Sequence, residues 1–477
     1  MDLDRYVLLE IVMSSVALCL IAKNEAALIG ACLDSVANAV DQVIVVDTGS
    51  TDETVAIAQA KGAEIVHFKW CDDFSAARNA ALSSVRCDWV LVLDCDERLA
   101  SGAAQKIRSA IEKAQAEAYV LPLVNADSMD AHPDDVVSGK NALEAPIWLP
   151  RLFRFSSDLI WEGRVHENLS AWMGRRNGRV ASIDAPIAHY GCVPDYRENR
   201  GNSDRNLKLL LAQLQDQPND WFSRTFLLEE LLVRNDPAIQ SHKAYLENQL
   251  TVELLPAIAA GRAQTGIVKT LTVCMAVAAN HADFQRVCHW VAQARSVGVE
   301  HPNIDFMEGL ALERLSLSDH GADQDRLVLA RDAYLRVLSS EEKVWVDALI
   351  GGIRSWNGIL RLSTVLLQLG HFEDALEGFK RVAKENVQAG EKAAMGQAEA
   401  LISLGRPEEA LGLIFPWMEA NPQSCDAAIL AAAACEALGD PAAARDFWIC
   451  AANNARESLN GLHRLHRLNQ GLAAMAS

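Results

Sequence analysis

Short apolar runs alternate with amphipathic stretches over the first quarter of the chain. Runs rich in Val, Ile and Leu occupy residues 16–22, 42–49, 63–68 and 89–94. A helical period of about 3.6 residues follows each run, over residues 26–37, 52–61, 74–84 and 103–116. Buried runs that alternate with helices are typical of right-handed βαβ units, whose parallel sheet is covered on both faces. The pattern therefore predicts an α/β domain.

The pattern changes between residues 118 and 195, where strand-like segments are short and helical periods are few. These segments read "AYVLPLV", "PRLFRF", "LIWEGRVHENL" and "ASIDAPIAHYG". We expect them to close the α/β domain with an antiparallel or mixed portion of the sheet. Beyond residue 195 the chain is almost entirely helical in pattern.

An internal repeat occupies residues 362–455. Leu-Gly pairs recur at residues 369–370, 404–405 and 438–439, spaced by 35 and 34 residues. Each Gly is followed five residues later by Ala and nine residues later by a large apolar residue. This spacing resembles the tetratricopeptide repeat (TPR), in which the Gly ends the first helix of a pair. Residues 206–235 and 306–338 are either diverged units of the same kind or ordinary packed helices.

The overall charge restricts the partners of the chain. The net charge of -19 disfavours nucleic acid or an anionic membrane as the main partner. The eleven cysteines are scattered and include no CxxC pair, which is typical of a reduced, cytoplasmic protein.

Residues 6–22 could pass for a signal sequence or a membrane span. Glu10, Ser14 and Ser15 interrupt this apolar segment, and its second half suits a first buried strand. We therefore predict no integral membrane segment and expect Met13 to be the natural start.

Two carboxylates follow the fourth apolar run, in "LDCDERL". Asp94 and Asp96 lie at the end of a buried strand, at the sheet edge where ligands bind in such folds. Mg²⁺ and Mn²⁺ bind through one or two carboxylates together with substrate phosphates. A solvated turn with helix-capping acids is the alternative interpretation.

Asp47 and Arg78 are further candidates for contacts with a nucleotide. Asp47 ends the second run, before a Gly-Ser-Thr turn, where an acid suits the imide or hydroxyl groups of a nucleoside. Arg78 lies among small residues in "FSAARNAAL" and has room to reach a phosphate, although a surface Arg is the alternative.

Taken in order, these segments resemble the GT-A glycosyltransferases of family 2. "LCLIAKNEA", "VVDTGSTDET", "FSAARNAAL" and "LDCDERL" are similar to the nucleotide-sugar half of that family. "PRLFRF", "WEGRVHENL" and "IAHYG" are similar to the acceptor half of its TPR-bearing bacterial members. The departure is Asp47-Thr48, where relatives often have two acids, so a second nucleotide contact is in doubt.

The resemblance implies a role for each matching residue. Glu167 matches the catalytic carboxylate of inverting members, and Asp96 and His189 match the ligands of Mn²⁺ or Mg²⁺. The residues implied in donor binding are Ile21, Lys23, Glu25, Asp47, Arg78 and Asp94.

Three residues of the acceptor half are candidates for acceptor contacts. They are Arg151, Trp161 and His166. The alternative for Trp161 is a core residue, and the alternative for His166 is a structural imidazole. His189 would without the resemblance be either a metal ligand or a core histidine.

The predicted fold is thus a GT-A α/β domain, of the nucleotide-diphospho-sugar transferase type, followed by an all-α TPR-like solenoid. Its predicted parts are an extension (1–14), the glycosyltransferase domain (15–200), a diverged helical region (201–360) and TPR repeats with a C-terminal helix (361–477). The expected activity is metal-dependent, inverting transfer of a hexose from a UDP-linked sugar to a protein or peptide held by the TPR region. The alternatives are a lipid-linked saccharide or polysaccharide acceptor, or a non-catalytic nucleotide-binding scaffold. A homo-oligomer is possible.

Overall fold

The computed structural model describes residues 14–454, except residues 114, 144–145, 177, 195, 197–201, 263–265, 319–320, 341–349 and 387–388. The expected start at Met13, the rest of the predicted extension and the predicted C-terminal helix beyond residue 454 lie outside the described residues. The chain divides into two compact units, the first ending at Leu246 and the second beginning at Glu247. The predicted domain boundaries at residues 200 and 360 stay predictions.

Nine strands of the described residues form one sheet in the first unit. The strands are β1 (Val16–Ala22), β2 (Gln42–Asp47), β3 (Glu64–His67), β4 (Trp89–Val92), β5 (Glu97–Leu99), β6 (Ala118–Asn125), β7 (Ile147–Arg154), β8 (Val180–Ser182) and β9 (Ile187–His189). The helices between them are α1 (Ile29–Val36), α2 (Thr54–Ala60), α3 (Phe74–Leu82), α4 (Ala103–Lys113), α5 (Pro133–Val137) and α6 (Ser170–Arg176).

The strand order of the sheet is β3-β2-β1-β4-β7-β6-β9-β5, and β8 pairs with β6. Strands β1 to β4 pair in parallel, whereas β7 pairs antiparallel to both β4 and β6. The chain runs outward from β1 to β3 and then returns to place β4 beside β1, which creates a topological switch point at the carboxyl ends of β1 and β4. The predicted α/β fold with a mixed closing portion is confirmed.

Apolar residues are buried on both faces of the parallel strands. Leu18, Leu20 and Leu91 pack on one face, and Ala17, Ile44 and Val90 on the other. Because successive side chains of a strand point to opposite faces, these runs must be apolar throughout. The switch point therefore rests on strands whose two faces are both buried.

The prediction of a strand at residues 159–169 is wrong. This segment is a loop that makes one isolated bridge, between Glu162 and Asn168. Leu159, Trp161 and Val165 are buried, and their spacing of two and four residues imitates the period of a strand. Strand β5 and helices α5 and α6 were not predicted, because each is too short to carry a period of its own.

The first unit continues into helices α7 (Asn202–Asp216), α8 (Trp221–Arg234) and most of α9 (Ile239–Gln249). A π-helical turn (Leu250–Leu254) then leads to the helices α10 (Leu255–Ala259), α11 (Ile267–Asn280), α12 (Phe284–Ser296), α13 (Pro302–Leu315), α14 (Gln324–Ser339), α15 (Trp356–Gln368), α16 (Phe372–Glu385), α17 (Gly390–Ser403), α18 (Pro407–Ala420), α19 (Cys425–Ala437) and α20 (Pro441–Asn454). Two short strands, β10 (Leu317–Ser318) and β11 (Gly321–Ala322), form a hairpin.

The three repeat glycines end helices α15, α17 and α19, as the TPR pattern predicts. Gly370, Gly405 and Gly439 have φ values of 83°, 73° and 77°. Glycine adopts this left-handed conformation without the steric cost that a Cβ would add. The Ala residues that lie five positions after these glycines, Ala375, Ala410 and Ala444, are at most 2% exposed. Their small side chains let the paired helices approach closely. The predicted TPR-like solenoid is confirmed.

Among the described residues, no helix combines the length and the apolar character that a membrane span requires.

His301 makes the stability of the second unit depend on pH. Its Nδ1 accepts a hydrogen bond from the Asn303 N–H (3.1 Å) at the start of α13, and its side chain is 5% exposed. Burial lowers the pKa of His301 from 6.5 to about 4. Below pH 6.5 the unfolded chain therefore binds a proton at His301, whereas the folded chain binds it only near pH 4. The free energy of unfolding falls as the pH falls through this window.

We expect His301→Asn to reduce this loss of stability, because Asn also caps helices but does not titrate. Between pH 7.5 and 5.0 the variant should lose about 2 kcal/mol less unfolding free energy than the natural chain, at about 1.4 kcal/mol per pKa unit. Urea unfolding followed by circular dichroism at both pH values measures the difference. His371→Asn, at an exposed histidine before α16, is the control; an equal effect of the two substitutions would contradict the assignment.

Candidate active site

Asp94 lies just beyond β4, at the switch point of the sheet. Residues 94–97 turn the chain from β4 into β5, and the Glu97 N–H donates to the Asp94 carbonyl (3.0 Å). The side chain of Glu97 in turn accepts from the Asp94 N–H (3.0 Å). This closed turn presents Asp94 and Asp96 at the carboxyl end of β4, where the sequence predicted them.

Arg78 joins Asp94 to Glu167. The guanidinium donates from Nη2 to Asp94 Oδ1 (3.2 Å) and from Nε to Glu167 Oε1 (2.5 Å). Arg78 is 8% exposed and lies 5.3 Å from the centre of the Trp161 ring. Burial lowers the pKa of Arg78, but the charges of Glu167 and Asp94 outweigh it and raise the pKa above its usual value. Arg78 is therefore a fixed cation that orients both carboxylates.

A second arginine, Arg151, reaches the same turn from β7. Its guanidinium contacts the Glu97 carboxylate and lies 3.7 Å from Asp94 Oδ2. Desolvation raises the pKa of Asp94, but the charges of Arg78 and Arg151 hold it at about 2. Burial raises the pKa of Glu97 to about 8, although Arg151 opposes the shift. Asp94 is thus an ionised carboxylate between two cations.

Asp96 pairs with His189 at the end of β9. The His189 Nε2 lies 3.8 Å from Asp96 Oδ1, while the Nδ1 is 2.7 Å from the side-chain oxygen of Asn125. A hydrogen bond from Nδ1–H to Asn125 leaves Nε2 as the lone-pair nitrogen, which is the form that binds metals. Burial lowers the pKa of His189, but Cys192 and Asp96 raise it above its usual value.

Gly191 leaves the space beside Asp96 and His189 open. A Cβ at this position would contact Asp96 Oδ2 and lie 2.7 Å from His189 Nε2. Within the part of the chain that the structure describes, no group of three or more His, Cys, Asp or Glu side chains could hold a metal ion. Asp96 and His189 provide two donors, which fits a divalent ion that takes its other ligands from a diphosphate.

Asp47 lies at the end of β2, in a different environment. Its carboxylate accepts from the Ser50 N–H (2.9 Å) and lies 3.5 Å from His67 Nδ1. Burial raises the pKa of Asp47, but the hydrogen bonds from Ser50 outweigh it and the pKa is below its usual value. Asp47 is therefore ionised and partly engaged by its own turn.

The end of β1 and the loop after it contain the other predicted donor-binding residues. Ile21 is half-buried in β1, Lys23 is exposed, and Glu25 is 8% exposed. The Asn24 side chain accepts from the Thr51 N–H (2.8 Å) and ties this loop to the loop after β2. Both loops thus lie at the carboxyl edge of the sheet.

The three acceptor candidates lie in different surroundings. Arg151 contacts the acidic turn, and Trp161 is 7% exposed beneath Arg78. His166 stacks on Phe226 of α8, with ring centroids 3.9 Å apart. No role is tested by these positions, and the assignments stay predictions.

The structure therefore brings together two sets of predicted residues. Arg78, Asp94, Arg151 and Glu167 form one chain of ion pairs, and Asp96 pairs with His189.

Sequence reasoning missed Asn125, which ends β6 and could have been found by the same strand-end rule that found Asp94. It also missed Gly191, for which a single sequence gives no signal.

The strand order and the carboxylates at the switch point define a GT-A-like α/β domain. Residues 17–177 match the family model described as Glycosyl transferase family 2. The chain therefore contains a family 2 glycosyltransferase domain, followed by TPR-like helices, and both predictions are confirmed.

Named relatives match part of the chain. A TPR repeat-containing protein of Synechococcus elongatus is 36% identical over 214 residues, which are 44% of this chain and 50% of that protein. The glycosyltransferase SunS of Bacillus subtilis is 25% identical over 239 residues, 48% of this chain and 52% of that protein. The chain spans about half the length of these relatives. The crystal structure of S. aureus TarS 1-349 with UDP-GlcNAc covers 68% of this chain and 90% of its own, at 12% identity and a TM-score of 0.31.

Proposed function

We propose that the N-terminal domain transfers a hexose from a UDP-linked sugar to a protein or peptide, in an inverting reaction that depends on Mn²⁺ or Mg²⁺. One observation carries the proposal: Arg78 holds Glu167 beside Asp94. Asp96, in the same turn as Asp94, lies beside His189 at the end of β9. The site thus has one carboxylate suited to proton transfer and another suited to a cation.

Glu167 is the proposed general base. An acceptor hydroxyl or thiol loses its proton to Glu167 as its oxygen or sulfur bonds to the anomeric carbon of the sugar. The bond from that carbon to the diphosphate oxygen breaks, and UDP leaves from the opposite face, so the configuration inverts. Arg78 orients the carboxylate for this step, because the 2.5 Å hydrogen bond fixes one of its oxygens.

Asp96 and His189 are the proposed protein ligands of the divalent ion. The ion would offset the charge that develops on the departing diphosphate. Asn125 holds the His189 ring so that its Nε2 faces Asp96. Asp47, Ile21, Lys23, Glu25 and Asp94 are the proposed donor contacts, since they lie on or beside the carboxyl ends of β1, β2 and β4.

The proposed acceptor is a peptide, because TPR arrays form curved surfaces that commonly bind extended peptides. The net charge of -19 favours a neutral or basic peptide over an anionic glycolipid. The acceptor atom is a Ser or Thr oxygen or a Cys sulfur.

A donor assay with the full chain tests the proposal. Each of a panel of nucleotide sugars is incubated with the protein, with Mn²⁺ or with EDTA, and the released nucleotide is measured. With Mn²⁺ we expect slow release of UDP from a UDP-hexose. EDTA should abolish this release. Absence of release from every donor, together with nucleotide binding that EDTA does not alter, would support a non-catalytic scaffold.

The acceptor class is tested separately, by mass spectrometry of a Ser, Thr and Cys peptide library incubated with the active donor. A gain of one hexose on peptides supports the proposal. Transfer to a lipid-linked saccharide, without transfer to peptides, would contradict the acceptor class and leave the donor chemistry intact.

A further inference from the structure

The loop that carries Glu167 is a closed structure, which we call the Glu167 loop (residues 162–168). Two backbone hydrogen bonds close it, from the Glu162 N–H to the Asn168 carbonyl (3.1 Å) and in the reverse direction (3.0 Å). Gly163 and His166 both adopt positive φ values, 102° and 54°. For a residue with a side chain such as His166, this conformation costs roughly 1–3 kcal/mol and persists only where surrounding contacts enforce it.

Helix α3 holds one side of the Glu167 loop. The Phe74 N–H donates to the Arg164 carbonyl (2.9 Å) at the start of this helix. The Asn79 side chain forms hydrogen bonds of 2.8 and 3.0 Å with the backbone of Trp161. Arg78 fixes the Glu167 carboxylate itself. These contacts hold the loop against the α/β domain through Trp161, Arg164 and Glu167.

Helix α7 holds the other side of the loop through Arg164. The Arg164 N–H donates to Gln213 Oε1 (3.2 Å), and the guanidinium donates twice to Asp216 Oδ2 (2.6 and 3.1 Å). Gln213 is 7% exposed and also donates to Asp220, which caps helix α8. Backbone and side chain of Arg164 are thus both fixed by this helix.

Helix α8 supports His166, the neighbour of Glu167. The His166 ring lies parallel to the Phe226 ring, with a 10° interplanar angle and centroids 3.9 Å apart. Phe222 packs edge-on against Phe226 at 5.2 Å. A stacked ring pair contributes roughly 0.5–1.5 kcal/mol, comparable to the cost of the left-handed backbone at His166. The stack therefore supports the backbone conformation of the residue that precedes Glu167.

We propose that helices α7 and α8 are part of the catalytic apparatus, with Gln213, Asp216 and Phe226 as positioning residues for Glu167. This inference rests on the proposed function, because it takes Glu167 as the general base. The helices lie outside residues 17–177, the segment that matches the family model. The active site of this chain thus requires structure that the transferase domain alone does not contain.

The first test removes the stack without removing the apolar volume. In the full chain, Phe226→Leu should lower kcat for transfer about tenfold to hundredfold, because small misplacements of a catalytic group have effects of that size. KM for the donor and the affinity for UDP should change less than twofold. Phe226→Tyr, which keeps the ring, should transfer at close to the natural rate. A loss in the Tyr variant equal to that in the Leu variant would contradict a role for stacking.

The second test compares two ion pairs that helix α7 forms. Asp216→Ala removes the pair with Arg164, whereas Asp204→Ala removes the pair between α7 and α8 formed with Arg234 (2.7 Å). Both acids are more than half exposed, so neither change should unfold the protein. We expect Asp216→Ala to lower kcat about tenfold and Asp204→Ala to leave it unchanged. Equal losses in both variants would indicate helix stability, not positioning of the loop, and would overturn the proposal.

Glu167→Gln separates failure of this inference from failure of the proposed function. If Glu167→Gln loses transfer while Phe226→Leu and Asp216→Ala retain it, the positioning role is refuted and the base assignment stands. If Glu167→Gln itself transfers at the natural rate, the base assignment is refuted.

Discussion

Asp96→Ala is expected to lower metal-dependent turnover of the donor by about three orders of magnitude. Loss of a metal-binding carboxylate removes several kcal/mol of charge stabilisation, and about 1.4 kcal/mol corresponds to a factor of ten. The fold should survive, because the backbone hydrogen bond from the Tyr190 N–H to the Asp96 carbonyl (2.9 Å) does not involve the side chain and persists in the variant. UDP release with increasing Mn²⁺ measures the turnover.

A second readout does not depend on activity. A ligand that binds the folded protein raises the unfolding temperature by linkage, so Mn²⁺ with UDP should stabilise the natural chain more than UDP alone. We expect that increment to vanish in Asp96→Ala and in Gly191→Ala, whose added Cβ would lie 2.7 Å from His189 Nε2. Asp184→Ala, at an exposed acid, is the matched control. Normal Mn²⁺ stabilisation in Asp96→Ala would remove Asp96 from the metal site.

Local sequence was sufficient to predict the strands and helices that have a clear apolar period of their own. The predicted run at residues 16–22 is β1 (Val16–Ala22), and the predicted helix at residues 74–84 is α3 (Phe74–Leu82). Each is long enough to show its own period, and each is bounded by polar residues. Strand β5 has three residues and exists because Glu97 to Leu99 pair with β9, more than eighty residues later. Such an element has no local signal.

The candidate site was predictable up to the ends of the strands. Asp94 and Asp96 could be located because ligands of a parallel sheet bind beyond the carboxyl ends of its strands. The partner of Arg78 could not be read from the sequence, since Glu167 lies 89 residues further along the chain. A guanidinium among small residues suits a phosphate and a carboxylate equally well. Only the tertiary fold brings the Glu167 carboxylate to Arg78.

The same limit applies to His166. The sequence allows two interpretations of His166, a structural imidazole or a contact with the acceptor. Neither interpretation identifies the residue that His166 packs against. The stack with Phe226 joins the Glu167 loop to a helix that the sequence pattern grouped with the helical half. The contacts proposed to position Glu167 therefore come from residues 78 to 226, whereas each motif covers fewer than a dozen residues.

Glu167→Gln is expected to keep donor binding and to lower kcat for transfer by about 10²–10⁴-fold, the usual contribution of a general base. The Gln side-chain oxygen can still accept the hydrogen bond from Arg78 Nε, so the loop should keep its conformation. The amide cannot take a proton from the acceptor. Steady-state transfer at varied donor concentration gives kcat and KM, and we expect KM for the donor to change less than twofold.

Glu162→Gln is the matched control for this variant. Glu162 is exposed in the same loop, and it closes the loop only through backbone hydrogen bonds in the described contacts. The substitution makes the same change of charge and shape five residues away, and transfer should continue at the natural rate. If both variants lose transfer alike, the charge of the loop is responsible, not proton transfer. If Glu167→Gln transfers fully, the base is another residue, and the pair of Arg78 with Glu167 serves the fold.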